Sequence, residues 1–208
     1  MVFFRRPFKY VYCNITLILI AVNVLVFAAQ YFIGNLTGFL AMTPVLVLHG
    51  FYWQFFTYMF AHQGFAHIFF NMFALFVFGT QIERHIGSKE FLLYYLVTGV
   101  LAGVFSFFVY LFTGAYLVSL LGASGAIFAV QLAFACFFPR AVMYVWGLIP
   151  MRAPILVTVF TLLELGMTIF GVQNGVAHLT HLAGFGFGWL YFYVRWRANP
   201  LKLMLEKN

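Results

Sequence analysis

The chain has 208 residues, of which 65% are hydrophobic, 22% aromatic and only 7% charged, with 11 Lys and Arg against 4 acids for a formal net charge of +7. A water-soluble domain could not cover its surface with that composition without aggregating, so a soluble protein is excluded and an integral membrane protein is predicted. Apolar runs able to cross ~30 Å of hydrocarbon as helices of about 20 residues recur, whereas the alternating strand pattern of an outer-membrane barrel does not.

Six helices are predicted, over 11–33, 66–84, 90–112, 123–139, 152–171 and 177–196, as a single all-α unit spanning 1–208 with short tails at 1–10 and 197–208. The stretch FFRRPFKY precedes the first helix, whose apolar run is longer than that of a signal peptide, so retention is expected. Cys13 and Cys136 both fall in apolar intervals and are read as small buried hydrophobes without a disulfide.

The loop that follows, 34–65, carries no Lys or Arg and is rich in aromatics: Phe51, Tyr52, Trp53, Phe55, Phe56 and Tyr58. Such a segment suits the membrane interface. AHQGFAHIFFNM opens the second helix, placing His67 and Asn71 four apart on one helical face, with His62 just before them. Two donors on one face fit a developing oxyanion, and they equally fit polar contacts between helices.

The fourth helix opens with GASG, where Ser124 follows Gly122; a serine there can cap a helix or serve as a nucleophile. Glu164, in TLLELG of the fifth helix, is the single acid placed at membrane depth, and its position predicts a structural or gating role well away from the outer face. In the sixth helix His178 and His181 are followed by Gly184 and Gly188, a small-x-x-x-small pair that lets a partner helix approach closely. Should that partner begin at Ser124, His181 could accept the hydroxyl proton.

Arg5, Arg6 and Lys9 precede the first helix, Arg84 and Lys89 join the second to the third, and Arg140 and Arg152 join the fourth to the fifth. Arg195, Arg197, Lys202 and Lys207 end the chain. This one-sided distribution predicts that both termini are cytoplasmic, with loops 34–65, 113–122 and 172–176 on the opposite side. The positive charge is then topological, matching anionic lipid headgroups, and gives no reason to infer nucleic-acid binding. The chain has no Asp, and Glu83, Glu90 and Glu206 lie toward the cytoplasm, so Ser124 is expected to work with histidine alone rather than in a triad. No aspartyl protease is possible, and HLTH lacks the glutamate of a zinc-protease motif; no metal or other cofactor is expected.

The ordered set H-x-x-x-N, G-x-S-G and H-x-x-G-x-x-x-G on successive even-numbered helices resembles the rhomboids, a family of intramembrane serine proteases, in their bacterial-type six-helix form. The resemblance implies Ser124 as nucleophile and His181 as general base, with His67, Asn71 and Gly122 forming the oxyanion hole and His62 supporting them. It also makes E-R-x-x-G, at Glu83, Arg84 and Gly87, a structural motif; here WQ replaces the Trp-Arg pair of many rhomboids. It implies transmembrane protein substrates cut near the outer face, with lateral entry gated by the fifth helix and the loop after it. Compact length without a targeting extension fits a prokaryotic inner membrane. The alternatives are a rhomboid-like protein that binds transmembrane helices without cutting them, and a transporter, for which acidic partners or an inverted repeat are missing.

Overall fold

The computed structural model describes residues 8–145, 147–170 and 176–205. Arg5, Arg6, Glu206, Lys207 and residues 172–175 of the expected last outer loop lie outside the described residues. Helix α1 is Ile15–Phe32, and the loop after it holds three short helices, α2 (Leu36–Leu40), α3 (Pro44–Leu48) and α4 (Gln54–Thr57). Helices α5 (Phe65–Ala74) and α6 (Thr80–Ile86) run as one rod through a π-helical turn at Leu75–Gly79. Then come α7 (Ser88–Phe112), α8 (Ser124–Phe137), a two-stranded hairpin of β1 (Val142–Val145) and β2 (Ile149–Arg152), α9 (Ala153–Ile169), α10 (Val176–Tyr191), and α11 (Pro200–Leu205).

Helices therefore occupy each predicted interval. Three of them, Ile15–Phe32, Phe65–Ile86 and Ser88–Phe112, are long and apolar enough to cross a membrane. Apolar side chains point outward along them: Leu25 on α1 and Phe65, Phe69, Phe70 and Phe73 on α5 are all exposed. Hydrocarbon accommodates such a surface, whereas water does not.

The buried helix is α8. Between Gly125 and Cys136 every residue except Phe128 is buried, and much of it is Ala and Gly, so neighbours come close to its backbone. Gly184 and Gly188 of α10 supply the other half of that approach. A Cβ on Gly184 would overlap the carbonyl of Gly125, and one on Gly188 would lie 2.7 Å from the Tyr94 hydroxyl and 3.1 Å from the Cβ of Ala129. At ~1.5 Å per residue, a helix of 14 residues is only about 21 Å long.

Several boundaries depart from the sequence reading for identifiable reasons. Helix α1 starts at Ile15 rather than residue 11 because the carboxylate of Glu83, from α6, accepts the N–H groups of Ile15 (2.6 Å) and Thr16 (2.8 Å) and so caps it from outside. Cys13 consequently lies before the helix and is exposed, not a buried hydrophobe, while Cys136 is buried and both are free. The interval between the fourth and fifth helices forms a hairpin pairing Val142 with Arg152 and Val145 with Ile149. Val142, Tyr144, Val145 and Ile149 are residues that suit a pleated ribbon. Part of the expected C-terminal tail is helical as well: α11 packs against α8, with Pro200 buried and its carbonyl 3.8 Å from the thiol of Cys136.

The aromatic loop is tied down by the glutamine of its WQ pair. Gln54 is fully buried; its carbonyl accepts the N–H of Thr43 (3.0 Å) and its amide donates to the carbonyls of Gly38 (3.0 Å) and Phe39 (3.3 Å). Trp53 packs at a tilt against Phe39 and Phe51, and its indole N–H donates to the Phe39 carbonyl. Tyr58 then reaches into the bundle and donates to the carbonyl of Gly99 at 2.6 Å. Loop and helices are thereby fixed in one arrangement beside the start of α8.

Candidate active site

Ser124 is the first residue of α8, and Ala123 occupies the N-cap position without a side-chain cap. The hydroxyl points elsewhere: Oγ lies 2.8 Å from Nε2 of His181 on α10. The backbone contact between Gly184 and Gly125 brings α10 close enough for this, one turn beyond His181. Phe128, one turn along α8 from Ser124, stacks on the imidazole with ring centroids 4.6 Å apart and planes 6° from parallel. The histidine is thus held on its face by an aromatic ring and at its edge by the serine.

The approach to Ser124 requires glycine at 122. Its φ of +116° is a conformation that L side chains rarely adopt, its N–H donates to the carbonyl of Tyr58 at 2.9 Å, and an added Cβ would lie 2.8 Å from the ring of His67. His67, Gly122, Ser124, His181, Tyr58 and Thr180 line a cavity of about 300 Å³. Thr180 also shares a 2.6 Å hydrogen bond with Ser106 of α7.

The other predicted site residues fall nearby without lining this cavity. Asn71 is buried with its amide donating to the backbone carbonyl of His67 at 2.8 Å. His62 lies behind His67, with ring centroids 5.0 Å apart and only 2% of its surface exposed. Neither of its ring nitrogens makes a well-formed hydrogen bond among the described residues. Burial, helped by the neighbouring His67, pushes its pKa down to about 4, so it is neutral near pH 7.

Glu164 overturns the expectation that it lies far from the chemistry. Its Oε2 is 2.6 Å from Nδ1 of His178 and 3.0 Å from Nδ1 of His181. The first contact is a hydrogen bond; the second has the distance of an ion pair, but Nδ1 is off the line of a well-formed bond. The sequence placed Glu164 by depth alone and could not specify the rotation of α9 about its axis. A signal was present in the pairing of this acid with two histidines spaced three apart, and Phe128 could have been found from its spacing of four from Ser124. The donor atoms of Glu164, His178 and His181 lie within 4.8 Å of one another, close enough for a metal ion to bridge, but here they meet one another directly and His181 already engages Ser124.

Glu83, Arg84 and Gly87 sit at the far end of α7 from Ser124. Glu83 accepts the hydroxyl of Ser88 as well as the two amides of α1, the Arg84 carbonyl accepts the Tyr10 hydroxyl at 2.9 Å, and Gly87 turns the chain at φ +84°.

A model of the Rhomboid domain matches residues 49–198. Over 119 residues the chain is 36% identical to rhomboid protease GluP of Bacillus subtilis, covering 54% of this chain and 22% of that protein. It is 27% identical over 196 residues to rhomboid protease AarA of Providencia stuartii, covering 82% of this chain and 68% of that one. A 37% match over 83 residues links it to rhomboid protein 1, mitochondrial, of Saccharomyces cerevisiae, covering 39% of this chain and 24% of the relative. The chain therefore matches less than a quarter of the length of the first and last of these proteins.

Proposed function

Because the chain belongs to the rhomboid family, we propose that it is an intramembrane serine protease in which Ser124 and His181 carry the chemistry. The observation that supports this most directly is the 2.8 Å contact between Ser124 Oγ and His181 Nε2 beside an open cavity. Oγ attacks a peptide carbonyl carbon while its proton passes to Nε2. The tetrahedral intermediate collapses as Nε2 returns that proton to the departing amine, leaving an acyl-enzyme. Water then gives a proton to Nε2 and attacks the ester, and the serine is regenerated. His67 and the free N–H groups at the start of α8 stabilise the oxyanion, and Gly122 keeps the space between them clear. Asn71 joins them by turning its amide from the His67 carbonyl toward the cavity.

The substrates in this reading are transmembrane helices cut near the outer face. A helix α8 about 21 Å long cannot span ~30 Å of hydrocarbon, so Ser124 sits recessed beneath a depression that water can enter. Substrates whose helices unwind easily are favoured, since an intact helix keeps its carbonyls occupied. The six long helical segments form the membrane bundle, α8 completing its crossing only with the chain that descends to Ser124, and both termini are cytoplasmic because the basic residues gather at the end opposite Ser124; the setting is a prokaryotic inner membrane.

A fluorophosphonate probe tests the reading without a known substrate. In detergent, the full chain is expected to label, and Ser124→Ala and His181→Ala to label at least ~10³-fold more slowly. If wild type stays unlabelled while an active rhomboid reacts alongside it, the protease reading gives way to that of a rhomboid-like protein that binds transmembrane helices without cutting them.

A further inference from the structure

We propose that Glu164 is a positioning residue for His181, extending the serine and histidine pair to a third member that the chain supplies from α9. The inference rests on the Ser124 and His181 reading and deepens it. A carboxylate at membrane depth is costly unless it is paired. Glu164 is paired with Nδ1 of His178 and Nδ1 of His181, both on the same edge of α10. Among the described residues, the other ionisable or nucleophilic groups facing His181 are Ser124 from α8 and His67 from α5.

A carboxylate oxygen only accepts, so the nitrogen facing it carries the proton. That places the His181 proton on Nδ1 and leaves Nε2 with a lone pair directed at Ser124, as a general base needs. The opposite tautomer would present N–H to the serine and could not take its proton. When Oγ gives up its proton, the Nδ1 proton stays in place and the carboxylate faces a newly formed imidazolium. His178, which holds the same oxygen at 2.6 Å, stops Glu164 from turning toward lipid. Phe128 fixes the plane of the His181 ring while Glu164 fixes its tautomer.

The test combines labelling kinetics with ¹⁵N spectra of the full chain in detergent, labelled at histidine and assigned with His178→Ala and His181→Ala. Wild type is expected to show His181 protonated at Nδ1. In Glu164→Gln the spectrum is expected to move toward the Nε2-protonated tautomer. The maximal fluorophosphonate labelling rate should fall ~10²-fold, with the half-saturating probe concentration and thermal midpoint little changed. Unchanged rate and tautomer in that variant would overturn the proposal, as would a wild-type His181 protonated at Nε2, which decides the matter even if Glu164→Gln fails to fold. Loss of labelling on chelation with recovery on adding zinc would also overturn it, by making the cluster a metal site. The tautomer can be read whether or not Ser124 reacts, so failure of this inference is distinguishable from failure of the protease reading.

Discussion

The two ends of the bundle treat buried polar groups in opposite ways. At the basic end Glu90 is almost fully saturated: Arg195 meets both its oxygens at 2.9 Å, the Tyr191 hydroxyl and Trp196 indole reach Oε1 at 2.9 and 3.0 Å, and the Phe8 N–H reaches Oε2 at 3.3 Å. Glu83 nearby takes two backbone amides and a serine hydroxyl. At the serine end neither ring nitrogen of His62 makes a well-formed bond among the described residues, Nδ1 of His181 meets Glu164 at 3.0 Å but off the line of one, and a cavity opens at His181. Unsatisfied buried polar atoms are expensive; elsewhere among the described residues they are single oxygens, on Thr16, Asn23 and Tyr95, whereas at the serine end they gather on two histidine rings. The closed cluster holds the helices together, and the open one is held in place so that it can bind and react.

The sharpest way to break this contrast is at the closed end. Arg195→Met leaves Glu90 buried without its bidentate cation and is expected to cost about 3–5 kcal/mol, read from thermal unfolding in detergent, while the folded fraction still labels at the wild-type rate. Pairing it with Glu90→Leu should return much of that loss. Loss of labelling in excess of unfolding would mean that the two ends are coupled.

At the open end, acid should expose the cost of the unpaired histidine. Between the usual 6.5 and about 4 the unfolded chain protonates at His62 while the folded chain does not, so stability should fall as pH drops through that window and be unaffected by this residue above it. The loss is on the order of 3 kcal/mol, and His62→Phe should flatten it in melting curves taken from pH 7 to 4. An unchanged slope in that variant would move the acid sensitivity to another group.

Gly184→Ala probes the contact that assembles the site. Its Cβ would overlap the Gly125 carbonyl, so α10 must shift, at about 1–3 kcal/mol. Labelling should suffer more than stability, because His181 moves with the helix. The smallest effect is expected from Glu83→Gln, about 1–2 kcal/mol, since one amide oxygen still accepts from α1 while the second acceptor is lost. Labelling should not change.

Gly184 and Gly188 could be read in advance because helical spacing alone places them on one face, and their missing side chains state what they permit. Ser124, His181, His67 and Gly122 were legible by motif, and the structure gathers them around one cavity. Glu164 was not, because contact with His181 depends on how α9 is turned against α10. Gln54 was equally silent: an amide in an aromatic loop says nothing of the backbone carbonyls it will meet 15 and 16 residues away. The late start of α1 likewise needed a carboxylate 67 and 68 residues further on.

By itself the sequence determined the hydrophobic lengths, the sidedness of charge and the small-residue stripe, all of which follow from local spacing and from the solvent a helix must face. Only the tertiary structure decided which polar atoms are satisfied and which stay open. Hydrogen-bond partners are fixed by the rotation and depth of whole helices, and those are set by packing among elements distant in the chain.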